Sequence, residues 1–162
     1  MDTDFEDTII DSTKPNAGRI YDYLIGGGHY FEVDKQMGDK LVKMMPFGSK
    51  LLKFIRWFLH EAIRKANDWS FNQFIDFASG LPVQDHIHNN TPQGTKVIYS
   101  DIDPITVEYA KDIINKTTAN SIIKYEICNA ANPETLLNSD VVKSIIDKNQ
   151  KVAMGFNGIC YF

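Results

Sequence analysis

Between Lys50 and Asn67 the apolar residues Leu51, Leu52, Phe54, Ile55, Phe58, Leu59, Ala62, Ile63 and Ala66 recur at helical spacing, which predicts an amphipathic helix. Ser49 is a residue type that caps such a helix. Lys50, Lys53, Arg56, Arg64 and Lys65 take the positions between, with Glu61 interrupting them. A single basic face beside Trp57 reads as a solvated face rather than an RNA or membrane surface. Upstream, "NAGRIYDYLIGGGHYFEVD" places a helical aromatic run (Arg19 to Leu24) before Gly26-Gly27-Gly28. Three glycines stop a helix and permit positive φ or close approach of backbone to a ligand. A second helix is expected from Val33 to Met45, ended by Pro46.

Beyond Trp69 the period shortens. "QFIDFA", "TKVIYSDID", "SIIKYEI" and "KVAMGFN" are short apolar runs of strand length. Between the second and third lies "PITVEYAKDIINK", a helix with Pro104 at its first position, Asp103 as cap, and Ile105, Tyr109, Ala110, Ile113 and Ile114 on its apolar side. Between the third and fourth, "NPETLLNSDVVKSIIDK" predicts one crossover helix, capped by Asn132 and opened by Pro133. The first two strands are joined by "VQDHIHNNTPQG", whose weak periodicity allows only a short or irregular helix. Strands alternating with helices argue for an α/β fold built on a parallel sheet.

Composition narrows the class. The chain of 162 residues is one domain's worth, and 43% hydrophobic with 23% charged residues describes a globular protein. No apolar run approaches the ~20 residues of a membrane span. The first 13 residues hold Asp2, Asp4, Glu6, Asp7 and Asp11 and no base, and read as a mobile acidic tail. Without them 17 basic residues face 16 acidic ones, so the clustered positive charge that nucleic-acid binding requires is missing. Cys128 and Cys160 both sit in apolar runs, as expected of buried free thiols in the reducing cytoplasm. The chain divides into the tail (1–13), an N-terminal helical cap (14–70) and a sheet-bearing cofactor-binding half (71–162).

In open α/β sheets ligands bind beyond the carboxyl ends of the strands. Those ends carry Asp76 with the turn Ala78-Ser79-Gly80, then Asp101 and Asp103, then Asn129, then Asn157-Gly158. Asp101 follows Gly80 at about the spacing that brings an acid to a ribose, and a carboxylate accepts two adjacent hydroxyls. Asn129 can donate to and accept from an adenine edge. Dinucleotide sites use G-x-G-x-x-G so that backbone amides approach a pyrophosphate. Here Ala78 replaces one glycine, and Pro82 lacks an amide donor. A nucleoside cofactor without phosphates, S-adenosylmethionine, fits better than NAD. His29 beside the glycines is the one candidate general base, although a loop histidine is more often merely exposed. Asp85, His86 and His88 form a D-H-x-H cluster too sparse for a metal site.

"RIYDYLIGG" (Arg19–Gly27), "FIDFASGLP" (Phe74–Pro82) and "VIYSDIDP" (Val97–Pro104) together resemble a family of S-adenosylmethionine-dependent methyltransferases of largely unassigned substrate. Its members read roughly R-V-Y-D-Y-L-L-G-G, F-L-D-I-G-S-G-L-P-T and V-V-Y-V-D-N-D-P. The resemblance runs from about Pro15 to the C-terminus and implies a class I methyltransferase fold, a Rossmann-like parallel sheet preceded by a helical segment. It implies that Asp76, Ala78 and Gly80 line the methionine side of the cofactor. Asp101 would hold the ribose hydroxyls with Asp103 beside it, Ile102 would pack on adenine, and Asn129 would meet the adenine amino group. Asn157 would close the fourth strand end, and Tyr21, Tyr23, Gly26 and Gly27 would cover the pocket.

The chain departs from the family where Ala78 stands for glycine, Asn129 for aspartate, and "GHY" (Gly28–Tyr30) for a polar K-D-N-like stretch. The family sheet has seven strands and this chain offers four, so a missing C-terminal portion is expected, or else a partner copy covering the open sheet edge. The expected activity is methyl transfer to an unassigned acceptor, releasing S-adenosylhomocysteine. A truncated or inactive cofactor-binding paralogue, and less favourably an NAD-dependent oxidoreductase, are the competing readings.

Overall fold

A computed structural model describes residues 11–83, 86–116 and 122–157. The expectations for most of the acidic tail, for Asp85, Gly158 and Cys160, concern positions outside the described residues. Three helices come first: α1 (Ala17–Ile25), α2 (Glu32–Met44) and α3 (Gly48–Asp68). Then follow β1 (Gln73–Phe77), a 3₁₀ turn over Ile87–Asn89, β2 (Lys96–Asp101), α4 (Pro104–Lys116), β3 (Ile122–Ile127), α5 (Glu134–Leu137), α6 (Asp140–Ile145) and β4 (Ala153–Gly155).

The sheet is parallel throughout, in the order β3-β2-β1-β4. Strand order therefore reverses between β1 and β4, where a crevice opens beyond the carboxyl ends. In register, Asp76 of β1 lies beside Tyr99 of β2 and Gly155 of β4. Successive side chains leave opposite faces. Phe74, Val97, Tyr99 and Tyr125 pack with Leu59 and Ile63 of α3 and Val107 and Ala110 of α4. Ile75, Phe77 and Ile98 pack on the other face with Cys128, Leu136, Val142 and Ile146. Cys128 is a buried free thiol. Among the described residues no helix is long and apolar enough to cross a membrane.

Several sequence expectations need correction. The helix expected over residues 132–148 is two short ones, because Ser139 adopts an extended conformation and its side chain accepts from Val142 N, capping α6 and breaking the helix before it. Ser49 does not cap α3, which starts from Phe47; its hydroxyl donates to Leu24 O and so ties α1 to α3. The apolar arc of α3 is wider than one sheet face can cover. Leu59 and Ile63 are buried, whereas Leu51, Phe54 and Phe58 are exposed. Arg56, expected on the solvated face, is buried, since it falls one turn before Leu59 and two before Ile63.

The N-terminal helices are fastened to the sheet through Asn16. Its side chain accepts from Arg19 N, capping α1, and donates to Asp103 and Thr106 at the start of α4. Arg19 and Asp34 form an ion pair of 2.7 Å with both side chains almost wholly excluded from water. Asp34 also accepts from Asn16 N and Phe31 N, so the carboxylate has the additional hydrogen bonds that a buried charge requires, while Arg19 Nη1 is left without a partner. Phe31 and His29 pack against Tyr109 of α4. The "RIYDYLIGG" helix is thereby held next to the end of β2.

Candidate functional site

The turn after β1 is built by strain and by hydrogen bonds. Ala78 has φ 52° and Gly80 φ 62°, both left-handed. Glycine tolerates this region, while an L-residue costs about 1–2 kcal/mol there. Ser79 N donates to Ser100 O at 2.8 Å, and Gly80 N donates to Asp101 Oδ2 at 3.1 Å. Ser79 Oγ donates to Asp76 O and accepts from Ser100 N. Tyr125 Oη donates to Gly80 O at 2.6 Å. The turn is thus welded to β2 and β3, and two of its amides are already spent.

His86 supports the turn from below. Its Nδ1 accepts from Ile87 N, so Nε2 carries the proton and donates to Ser79 O at 3.1 Å. His88 Nδ1 meets the Tyr99 hydroxyl at 2.9 Å. Burial pushes the pKa of His86 well below its ordinary value and that of His88 down to about 4, so both rings are neutral supports of the fold. Among the described residues no cluster of three metal-ligating side chains occurs.

Asp76 sits at the switch point. It is 3% exposed, and its Oδ1 is buried without a hydrogen-bond partner. Burial pushes its pKa up to about 7, against the opposing influence of Ser79 and the Arg56 charge. Gly155 leaves the room for it: a Cβ there would run into Asp76 Oδ1.

Asp101 ends β2 half-exposed, with Oδ2 on Gly80 N and Oδ1 accepting from Asp103 N. Each oxygen keeps a further lone pair. Ile102 beside it is 60% exposed. Asp103 accepts from Ile105 N, Thr106 N, Thr106 Oγ and Asn16. Burial acts to raise its pKa, and these hydrogen bonds outweigh that and lower it. Asn129 is exposed at the end of β3, its Oδ1 accepting from Ala131 N. Asn157 lies half-exposed two residues beyond β4.

From the N-terminal helices, Gly26 ends α1 at φ 95° and Gly27 passes so close to Asp22 that a Cβ would strike its carboxyl group. Asp22 is 1% exposed; its Oδ2 accepts from His29 N while Oδ1 has no partner, and burial raises its pKa. Tyr21 lies under the Arg56 guanidinium, 5.4 Å away. Tyr23 is engaged within the helical segment, donating to Asp39 at 2.6 Å and packing edge-on against Tyr30.

The structure therefore gathers Asp76, Ala78, Gly80 and Asp101 into one cluster, with Ile102 and Asn129 at its rim. The sequence reading placed Arg56 on the solvated face and did not single out Asp22. Arg56 could have been found from its place in the buried stripe of α3, and Asp22 from its position five residues before Gly27. Tyr125 had no such signal, because only the register of β3 brings its hydroxyl to Gly80.

A parallel sheet with a switch point between β1 and β4, and an acid at the end of β2 bonded to the glycine turn, define a Rossmann-like α/β fold. The chain belongs to the S-adenosyl methyltransferase family, whose pattern matches residues 3–162. No curated protein matches it. Two solved structures are similar. A DUF574 family protein from Streptomyces avermitilis MA-4680 is 25% identical with a TM-score of 0.76, over 89% of this chain and 56% of that one. A candidate methyltransferase from Thermobifida fusca YX is 26% identical with a TM-score of 0.73, over 94% of this chain and 57% of that one. The chain thus spans little more than half the length of either.

Proposed function

We propose that the crevice binds S-adenosylmethionine and that the chain forms the cofactor-binding half of a methyltransferase. The observation that carries this reading is Asp76 Oδ1, a buried carboxyl oxygen with no partner at the switch point. A cation satisfies it, and the cofactor brings an ammonium group and a sulfonium. A pyrophosphate is disfavoured by the same geometry: the amides of Ser79 and Gly80 are spent, Pro82 has none, and two carboxylates face the site.

In this reading Asp101 accepts the ribose hydroxyls through its free lone pairs, Ile102 covers one face of the adenine, and the Asn129 amide meets its edge. Asp76, Ala78 and Gly80 flank the methionine portion. Asp103 fixes Asp101 and the start of α4 rather than reaching a ligand itself, and Asn157 borders the crevice beside β4. Residues 14–70 form the cap, with Tyr21, Gly26 and Gly27 on the crevice side and Tyr23 holding α1 to α2. When bound there, the cofactor would supply an electrophilic methyl group to the acceptor. The protein's share of the chemistry is proximity and alignment.

Calorimetric titration with S-adenosylhomocysteine and with NAD tests the proposal. Binding of the first and not the second is expected, with affinity lowered about 10-fold or more by Asp101→Ala, since the lost hydrogen bonds are to a charged group. No S-adenosylhomocysteine binding, or binding indifferent to Asp101→Ala, sinks it.

A further inference from the structure

Beside the crevice, α3 and the end of α1 border an open pocket of about 300 Å³ lined by Ile25, Lys53, Arg56, Trp57 and His60. Three basic side chains at i, i+3 and i+7 share one helical face here, and no acidic residue lines the cavity. Arg56 is 8% exposed and its Nε is buried without a hydrogen-bond partner. Among the described residues no carboxylate lies within ion-pair distance of Lys53 or Arg56. A buried guanidinium left in this state is costly unless something completes it. Tyr21 beneath it fixes its plane.

We propose that this cavity is the acceptor pocket and that the methyl acceptor carries a carboxylate or phosphate held by Lys53, Arg56 and His60. The inference rests on the methyltransferase reading above and adds the chemical class of its substrate. The cavity abuts the glycine turn: Ile25 lines it, and a Cβ on Gly26 would lie 3.9 Å from Lys53 Nζ. Arg56 lies one turn before Leu59, which lines a space with Asp76 and Gly155 at the strand end. Its charge is felt by both Asp22 and Asp76, so an anion here lies next to the proposed methionine side of the cofactor. Asp22 and Asp76 in turn disfavour an anion any deeper, which confines it to the basic wall. Trp57, 54% exposed, offers an aromatic face to the body of such a molecule. The cofactor's own carboxylate is a smaller demand than two cations, an imidazole and an aromatic wall, and it travels with an ammonium that these cations repel.

The chain has two tryptophans, so Trp69→Phe leaves Trp57 as the only reporter. In that background inorganic phosphate and benzoate are titrated at constant ionic strength, following Trp57 emission, with S-adenosylhomocysteine affinity measured in parallel. A saturable response to at least one probe is expected, weakened about 10-fold by Lys53→Gln, an exposed change that leaves the core intact. S-adenosylhomocysteine affinity is expected to be unaffected by that substitution or by saturating probe. No saturable response, or one indifferent to Lys53→Gln, overturns the anion site. Competition between probe and S-adenosylhomocysteine also overturns the proposal, because the cavity then holds the cofactor's carboxylate. If the probe binds and S-adenosylhomocysteine does not, the cofactor reading has failed, and the assignment of the anion as a methyl acceptor falls with it while the anion site stands.

Discussion

Replacing Asp76 with asparagine separates what this carboxyl group costs the fold from what it gives the site. Its pKa is about 7 in the folded chain against an ordinary 3.8, because it is buried. The folded state therefore holds a proton that the unfolded state has released across that interval, and stability falls as pH rises through it. At 1.36 kcal/mol per pH unit, full ionisation costs the fold about 4 kcal/mol, of which about 3 falls between pH 5 and pH 8. That is a large part of the ~5–15 kcal/mol a domain has. A carboxamide in the same place does not ionise. Its imperfect hydrogen bonding adds an offset of about 1–3 kcal/mol that does not depend on pH. Urea unfolding of both proteins at pH 5 and pH 8 should show Asp76→Asn gaining about 3 kcal/mol on the parent between the two, a relative midpoint shift of roughly 1.5 M at an m-value of ~2 kcal/mol/M. Saturating S-adenosylhomocysteine should flatten the parent's pH dependence, since its ammonium group pairs with the ionised carboxylate. Parallel pH profiles for the two proteins would refute the reasoning.

Ala78→Gly should relieve the left-handed strain of about 1–2 kcal/mol, less the ~0.5–1 kcal/mol that glycine adds to the entropy of the unfolded chain. Thermal unfolding should show a rise of about 2 °C. Asp34→Asn leaves Arg19 charged and buried without its counter-ion, and should cost about 3–5 kcal/mol in denaturant unfolding. Arg19→Met combined with it should recover most of that loss, because the uncompensated charge goes too.

Much was legible along the chain. The alternation after Trp69 carried the four strands and their parallel sense, since buried parallel strands read as short apolar runs between helices. Asp103 before Pro104 carried the start of α4, because a cap is local chemistry. The triple glycine carried the end of α1, and the shortage of glycines in "FIDFASGLP" carried the argument against a pyrophosphate. Strand-end position and spacing suggested the roles of Asp101 and Asn129, and motif resemblance added that of Ile102.

Pairing between distant segments was beyond such reading. Which stripe of α3 turns inward depends on the sheet face that receives it, so Arg56 went to the interior while Phe54 and Phe58 stayed in water. Tyr125 reaches Gly80, and Gly155 makes room for Asp76, only because of strand register. His86 and His88 look like sparse ligands in one dimension and are separate supports, one under Ser79 and one against Tyr99, in three. Local propensity and period act over a few residues and are written in the chain. Burial, and with it the raised pKa of Asp76 and the unpaired Arg56 beside the crevice, belongs to the assembled packing, which no short stretch of sequence specifies by itself.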